Sequence, residues 1–73
     1  MLAITVRAEF GAVVLKVCVA PGDQVARDQE LLVLESMKTE IPVTSPVDGR
    51  VTTVLVAEAQ SVDERQPLLI VET

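Results

Sequence analysis

Shifted along itself by 37 residues, the chain matches itself without a gap: Ile4 to Ser36 falls on Ile41 to Thr73, and 11 of the 33 aligned pairs are identical. Some coincidences are expected among apolar positions, because 14 of the 73 residues are Val. That bias does not account for Gln29 over Gln66 or Glu35 over Glu72, nor for the even order of Val14/Val51, Val17/Val54, Val25/Val62 and Leu31/Leu68. A repeat of this length means two structurally similar halves, each too small to bury its own apolar face.

Both halves carry the same strand pattern. Ile4–Val6 and Ile41–Val43 read as a short first strand, and Val13–Val19 and Val51–Val56 as a longer second one. Gln24-Val25 and Ser61-Val62 are brief edge pieces, and Leu31–Glu35 and Leu68–Glu72 close each half. Ala20-Pro21-Gly22-Asp23 has turn chemistry, since Pro presets one backbone angle and Gly is free to take a positive φ; Glu58-Ala59-Gln60-Ser61 stands in the matching place. No segment has a helical period, and β-branched side chains favour strands. The expected fold is all-β: a flattened barrel or sandwich of two four-stranded antiparallel sheets with internal pseudo-twofold symmetry, its two halves packed face to face, in a single domain spanning residues 1–73. Along the second strand, Val17 and Val19 should point inward with Val54 and Val56. Cys18 and its counterpart Leu55 then face outward, as part of a docking surface, unless Cys18 lies under a neighbouring strand as a small hydrophobe.

Several function classes drop away. The net charge of −5 opposes phosphate backbones, so no nucleic-acid partner is expected. The longest apolar runs are about four residues, far short of the ~18 that a membrane helix needs. A membrane location is not expected, and the protein reads as cytoplasmic. One cysteine and no histidine leave no Cys/His metal set and remove the commonest general base, which disfavours an enzyme.

The boundary between the halves singles out Lys38. Glu35 matches Glu72 and the second half opens at Thr39–Ile41, so Ser36-Met37-Lys38 is the short link between halves, expected as a tight hairpin at the end of the domain. A lysine there projects its stem away from the body. The only other lysine, Lys16, is matched by Thr53 inside a strand and reads as an ordinary solvent-facing residue. An exposed primary amine can be acylated to a stable amide by a separate ligase that supplies the deprotonation. Met37 gains little from folding if it is exposed at a tip, and contact with a partner would explain it. From these residues alone, a dedicated Met37-Lys38 site and a solvated turn lysine beside a partly buried Met both stand.

Here the sequence resembles the biotinyl/lipoyl attachment domain family, over essentially the whole chain. Glu35-Ser36-Met37-Lys38 is similar to that family's biotin-type Glu-Ala-Met-Lys hairpin. Pro21-Gly22-Asp23-Gln24-Val25 resembles its Gly-Asp-x-Val turn, and Ser45-Pro46-Val47-Asp48-Gly49-Arg50-Val51 its Ala-Pro-x-x-Gly-x-Val element. Lipoyl members typically place an acidic residue before the lysine, so Met37 points to biotin. Ser36 stands where Ala is usual, Thr39 where Met is usual, and Ala8-Glu9-Phe10-Gly11 departs from the Ala-Pro pattern. No insertion is long enough for the protruding thumb of some biotin carriers, and the length reads as a free-standing carrier without a linker.

The resemblance implies that a biotin protein ligase attaches biotin covalently to Lys38, with Met37, Ser36, Glu35, Thr39 and Glu40 forming the segment the ligase reads. It also implies a non-catalytic carrier that serves a biotin carboxylase and a carboxyltransferase, with an acyl-coenzyme A as acceptor. Two other expectations use the same fold: a lipoyl carrier of a 2-oxoacid dehydrogenase-type complex, and an unmodified interaction module.

Overall fold

The computed structural model describes residues 2–73. Its strands are β1 (Ala3–Arg7), β2 (Ala12–Val17), β3 (Gln24–Val25), β4 (Glu30–Ser36), β5 (Thr39–Thr44), β6 (Gly49–Val54), β7 (Ser61–Val62) and β8 (Pro67–Glu72). They form two four-stranded sheets, ordered β1-β8-β6-β3 and β5-β4-β2-β7, with every pairing antiparallel. The 37-residue shift carries β2 onto β6 and β3 onto β7 residue for residue, and it carries the first sheet onto the second.

The halves do not stack as separate layers, contrary to the sequence-based expectation. Each sheet takes two strands from each half, because the four residues Ala8–Gly11 between β1 and β2, and the matching Ser45–Asp48 between β5 and β6, pass from one sheet to the other. Ala8 and Ser45, both small, occupy the same place in the two crossings, each 1% exposed. The buried Ser45 is satisfied locally: its hydroxyl donates to the Val47 carbonyl at 2.6 Å. The same segment is fastened from outside, where the Arg27 amide donates to Asp48 Oδ1 at 2.7 Å.

The core is aliphatic, with Leu31, Leu32, Leu34, Leu68, Leu69, Val14, Val51 and Val71 nearly or completely excluded from water. Burying a Leu or Val contributes about 1.5–3 kcal/mol. Strict alternation breaks once in β2 and once in β6. Between inward Val14 and Val17 lie two outward residues, Leu15 and Lys16, and between Val51 and Val54 lie Thr52 and Thr53. The ladder register shifts at both places, which marks paired β-bulges. Both ladders then stop at Val17 and Val54, two residues short of the ends expected from sequence, as the chain leaves for the next turn. One hydrogen bond follows in each half, from the Cys18 amide to the Leu31 carbonyl and from the Leu55 amide to the Leu68 carbonyl, both 2.9 Å. Val19 and Val56 still pack inward, and Cys18 and Leu55 face out as expected.

Four β-turns share one construction. In Ala20–Asp23, Ala26–Gln29, Ala57–Gln60 and Asp63–Gln66, the fourth residue's amide donates to the first residue's carbonyl at 3.0–3.2 Å. The first residue's amide donates back to the fourth residue's side-chain oxygen at 2.9–3.1 Å. This reciprocal clamp is why Gln29 and Gln66 are identical across the repeat. The second of the matching turns is Ala57–Gln60, one residue earlier than the sequence placed it, because Gln60 does the work of Asp23. Each turn holds its third residue at positive φ: Gly22 at 97°, Asp28 at 71°, Ala59 at 72° and Arg65 at 69°. Only Gly22 takes that conformation without steric penalty. Ala59→Gly, which copies Gly22 into the other half, should raise stability by about 0.5–1 kcal/mol, since the relief of the left-handed Ala exceeds the added chain entropy. Urea unfolding with an unchanged m-value checks it.

Candidate functional site

The link between the halves is the tightest hairpin the chain can make. Glu35 pairs with Glu40 and Ser36 with Thr39, so Met37 and Lys38 alone form the turn. Both are left-handed, at φ 52° and 66°, the type I′ geometry whose twist matches paired strands. That geometry normally calls for Asn-Gly, and a non-Gly residue there costs on the order of 1 kcal/mol. The strands impose it: below the turn, Leu34 pairs with Ile41 and Leu32 with Val43, and the two leucines are 1% and 0% exposed. Sliding the register to relax the tip would turn those leucines outward. Pro42 fits in β5 because the strand is at a sheet edge; counting alternate pairs from Ser36/Thr39 puts its nitrogen away from β4.

The tip faces water. Met37 is 95% exposed, which excludes the reading of it as a partly buried turn residue, and Lys38 is exposed beside it. Glu35 and Glu40 lie directly opposite each other at the foot of the turn, both exposed, with Ser36 half-buried and Thr39 exposed. Two carboxylates facing across a ladder repel, so their placement does not serve the hairpin's stability. The hairpin stands at the end of the long axis opposite the chain's first and last described residues, where the Thr73 amide donates to the Leu2 carbonyl at 2.9 Å. The short crossings dictate this, since β1 runs away from Leu2 and delivers the chain to the start of β2, beside Glu35.

The sequence had placed the lysine and its five neighbours at a hairpin, and the structure brings all six together there. It missed the double left-handed turn, because Ser36-Met37-Lys38-Thr39 contains no Gly or Asn to announce it. Lys16 lies in β2 opposite Val33 and is exposed, as expected. Cys18 is exposed rather than covered by a strand, with its Sγ 3.7 Å from Glu30 Oε2. Desolvation, then Glu30, push its thiol above the usual range, against the opposing charge of Lys16. Among the described residues, no group of three or more Cys, Asp or Glu is arranged to hold a metal ion.

Comparison with known proteins gives this geometry a family. The family model described as "Biotin-requiring enzyme" matches residues 3–72. A biotinylated protein TB7.3 homolog of Mycobacterium leprae (strain TN) is 50% identical over 56 residues, covering 77% of this chain and 79% of its own. A biotin/lipoyl attachment protein of Bacillus subtilis (strain 168) is 39% identical over 66 residues, 90% of each chain. Among solved structures, that of a single-chain, multi-domain long-chain acyl-CoA carboxylase superposes with a TM-score of 0.90 at 30% identity, over 97% of this chain and 7% of that one. Kluyveromyces lactis urea carboxylase shares the fold, with a TM-score of 0.91 at 24% identity over 99% of this chain and 6% of its own. The chain therefore belongs to the biotin/lipoyl attachment domain family and is of its biotin type.

Proposed function

We propose that this protein is a biotin carrier whose attachment atom is Lys38 Nζ. The observation that carries the reading is the exposed Met37-Lys38 tip, held at a strained turn by the leucine-packed strands below it, in a chain of biotin-type family membership. The site fits the group: the amine stands clear of the sandwich, and a ligase can close around the tip without displacing any core residue. In the attachment step the Lys38 amine forms an amide bond with the acyl carbon of a biotinyl adenylate. The acyl–phosphate bond breaks, AMP leaves, and the amine's proton passes to the ligase. Once attached, biotin supplies a ureido nitrogen that takes up and releases a carboxyl group.

The chain's own contribution is mechanical. The two-sheet body fixes the direction of the hairpin, the lysine stem adds reach, and tethering raises the effective concentration of the group at each partner. The proposed partners are a biotin protein ligase, a biotin carboxylase and a carboxyltransferase acting on an acyl-coenzyme A. They are supported by the biotinylated relative and by the acyl-CoA carboxylase whose domain shares this fold. In this role the chain carries the group and catalyses neither half-reaction.

Intact mass tests the reading on protein made in its host with active ligase and ample biotin. The expected gain is one biotin less one water; a lipoyl gain, or an unmodified mass, refutes it. Met37→Leu separates recognition from folding. Because Met37 is 95% exposed, the variant should melt within about 0.5 kcal/mol of wild type while its rate of biotinylation falls.

A further inference from the structure

The internal repeat supplies a control that most small domains lack. The outer faces of the two sheets are built from matching residues on matching bulged strands, so a difference between them is not demanded by the fold. They differ sharply. On the β5-β4-β2-β7 sheet, the bulge residue Leu15 is 41% exposed beside Val13 at 39%, with Val33 beneath them. Around this apolar centre stand Glu30, Glu40 and Glu58, which line one shallow depression with Leu15, Val33 and Lys16. On the other sheet the bulge residue is Thr52, and Pro67, Ala3 and Pro21 hold the positions of the three glutamates. Glu35 and its counterpart Glu72 are common to both faces, whereas Leu15 and the other three glutamates are peculiar to the first, which is apolar at its centre and the more acidic at its rim.

The acidic face is also continuous with the tip. Glu40 is the second residue of β5, two positions after Lys38, and stands at the foot of the turn; the next outward row is Pro42, Val33 and Lys16. An enzyme that takes Lys38 into its active site from that side must lie against this face.

We propose that the outer face of the β5-β4-β2-β7 sheet is the docking surface for the enzyme that acylates Lys38, met by a patch with an apolar centre and a basic rim. The proposal rests on the carrier reading above and extends the contact from Glu40 at the hairpin's foot across the sheet to Leu15, Glu30 and Glu58. Opposite charge names the partner: a rim of glutamates steers a basic surface, speeding encounter in proportion to how little salt is present, while Leu15 seats in the dry centre.

The repeat also provides the test. One variant combines Glu30→Gln, Glu40→Gln and Glu58→Gln. Its mirror combines Thr5→Lys, Thr52→Lys and Thr53→Lys on the opposite face. Both are three units less negative than the wild-type −5, so net charge is matched. Leu15→Thr copies Thr52 and should fold normally. Biotinylation by a biotin protein ligase is followed by intact mass, with melting curves for each variant. The expected result at low salt is a kcat/KM about tenfold lower for the glutamine triple, carried by KM, with the mirror triple within about twofold of wild type. The gap should close near 1 M salt, where the screening length is about 3 Å, while Leu15→Thr stays about threefold slow at every salt concentration. Equal effects from both triples reduce the proposal to net charge and overturn it, and no effect from the glutamine triple overturns it too. Failure of the carrier reading is recognised separately, because wild-type protein would then take up no biotin at all.

Discussion

Lys38→Arg should yield protein with the mass of the bare polypeptide under conditions that fully biotinylate the wild type, and with an unchanged melting curve. The two halves of that expectation have different origins. Modification is lost because a guanidinium stays protonated with its charge delocalised, so it keeps the reach and charge of lysine but has no free amine to form the amide. Stability is kept because the side chain is exposed at a tip whose backbone geometry arginine can share, and surface changes of this kind stay within about 0.5 kcal/mol. Lys16 cannot take over, because it stands mid-strand opposite Val33, where a ligase would have to accommodate a sheet face instead of a hairpin. Residual incorporation in Lys38→Arg would move the site elsewhere, and peptide mapping at Lys16 would show where.

Gly49→Ala sets the repeat against the coordinates. By the 37-residue shift Gly49 matches Ala12, so sequence symmetry makes the substitution harmless. The coordinates make it severe: a Cβ at Gly49 would overlap the Glu72 carbonyl oxygen and lie 2.9 Å from Val71 Cγ1, both on the neighbouring β8. Backbone cannot yield as a side-chain tip can. The strand must shift, in a ladder where Val51 pairs with Val71 and both are completely buried. Overpacking of this kind costs about 3 kcal/mol. A 73-residue domain has roughly 4–11 kcal/mol in all, so the melting temperature should fall by on the order of 15 °C. Gly11→Ala is the comparison, because its Cβ would meet only the Val62 carbonyl oxygen at 3.8 Å. Equal melting of the two variants would show that β8 has room the coordinates do not give it.

The strands were legible because alternation and repetition reinforced one another: Val14, Val17 and Val19 could each be checked against a partner 37 residues on. The lysine was legible because the same register left Ser36-Met37-Lys38 between the halves. The bulges were not, since Leu15-Lys16 and Thr52-Thr53 read equally well as continued alternation until a ladder shows two residues opposite one. Nor was the interleaving of the halves, which depends on which strand each one pairs with and not on any strand's own residues. The strained tip was hidden for a related reason, because the force that holds Met37 and Lys38 left-handed comes from Leu32 and Leu34 several residues away.

That interleaving bears on how the chain reaches its fold. With β1 bonded only to β8, the first strand finds its partner only when the last has been made, and no half contains a sheet it can finish alone. Folding must close long loops before any layer is complete, which places the protein among slow, high-contact-order folders. By the same logic, two copies of the first half could supply each other's missing strands, so that a symmetric dimer of short peptides would reproduce the sandwich, with open chain ends wherever the hairpin now holds its lysine.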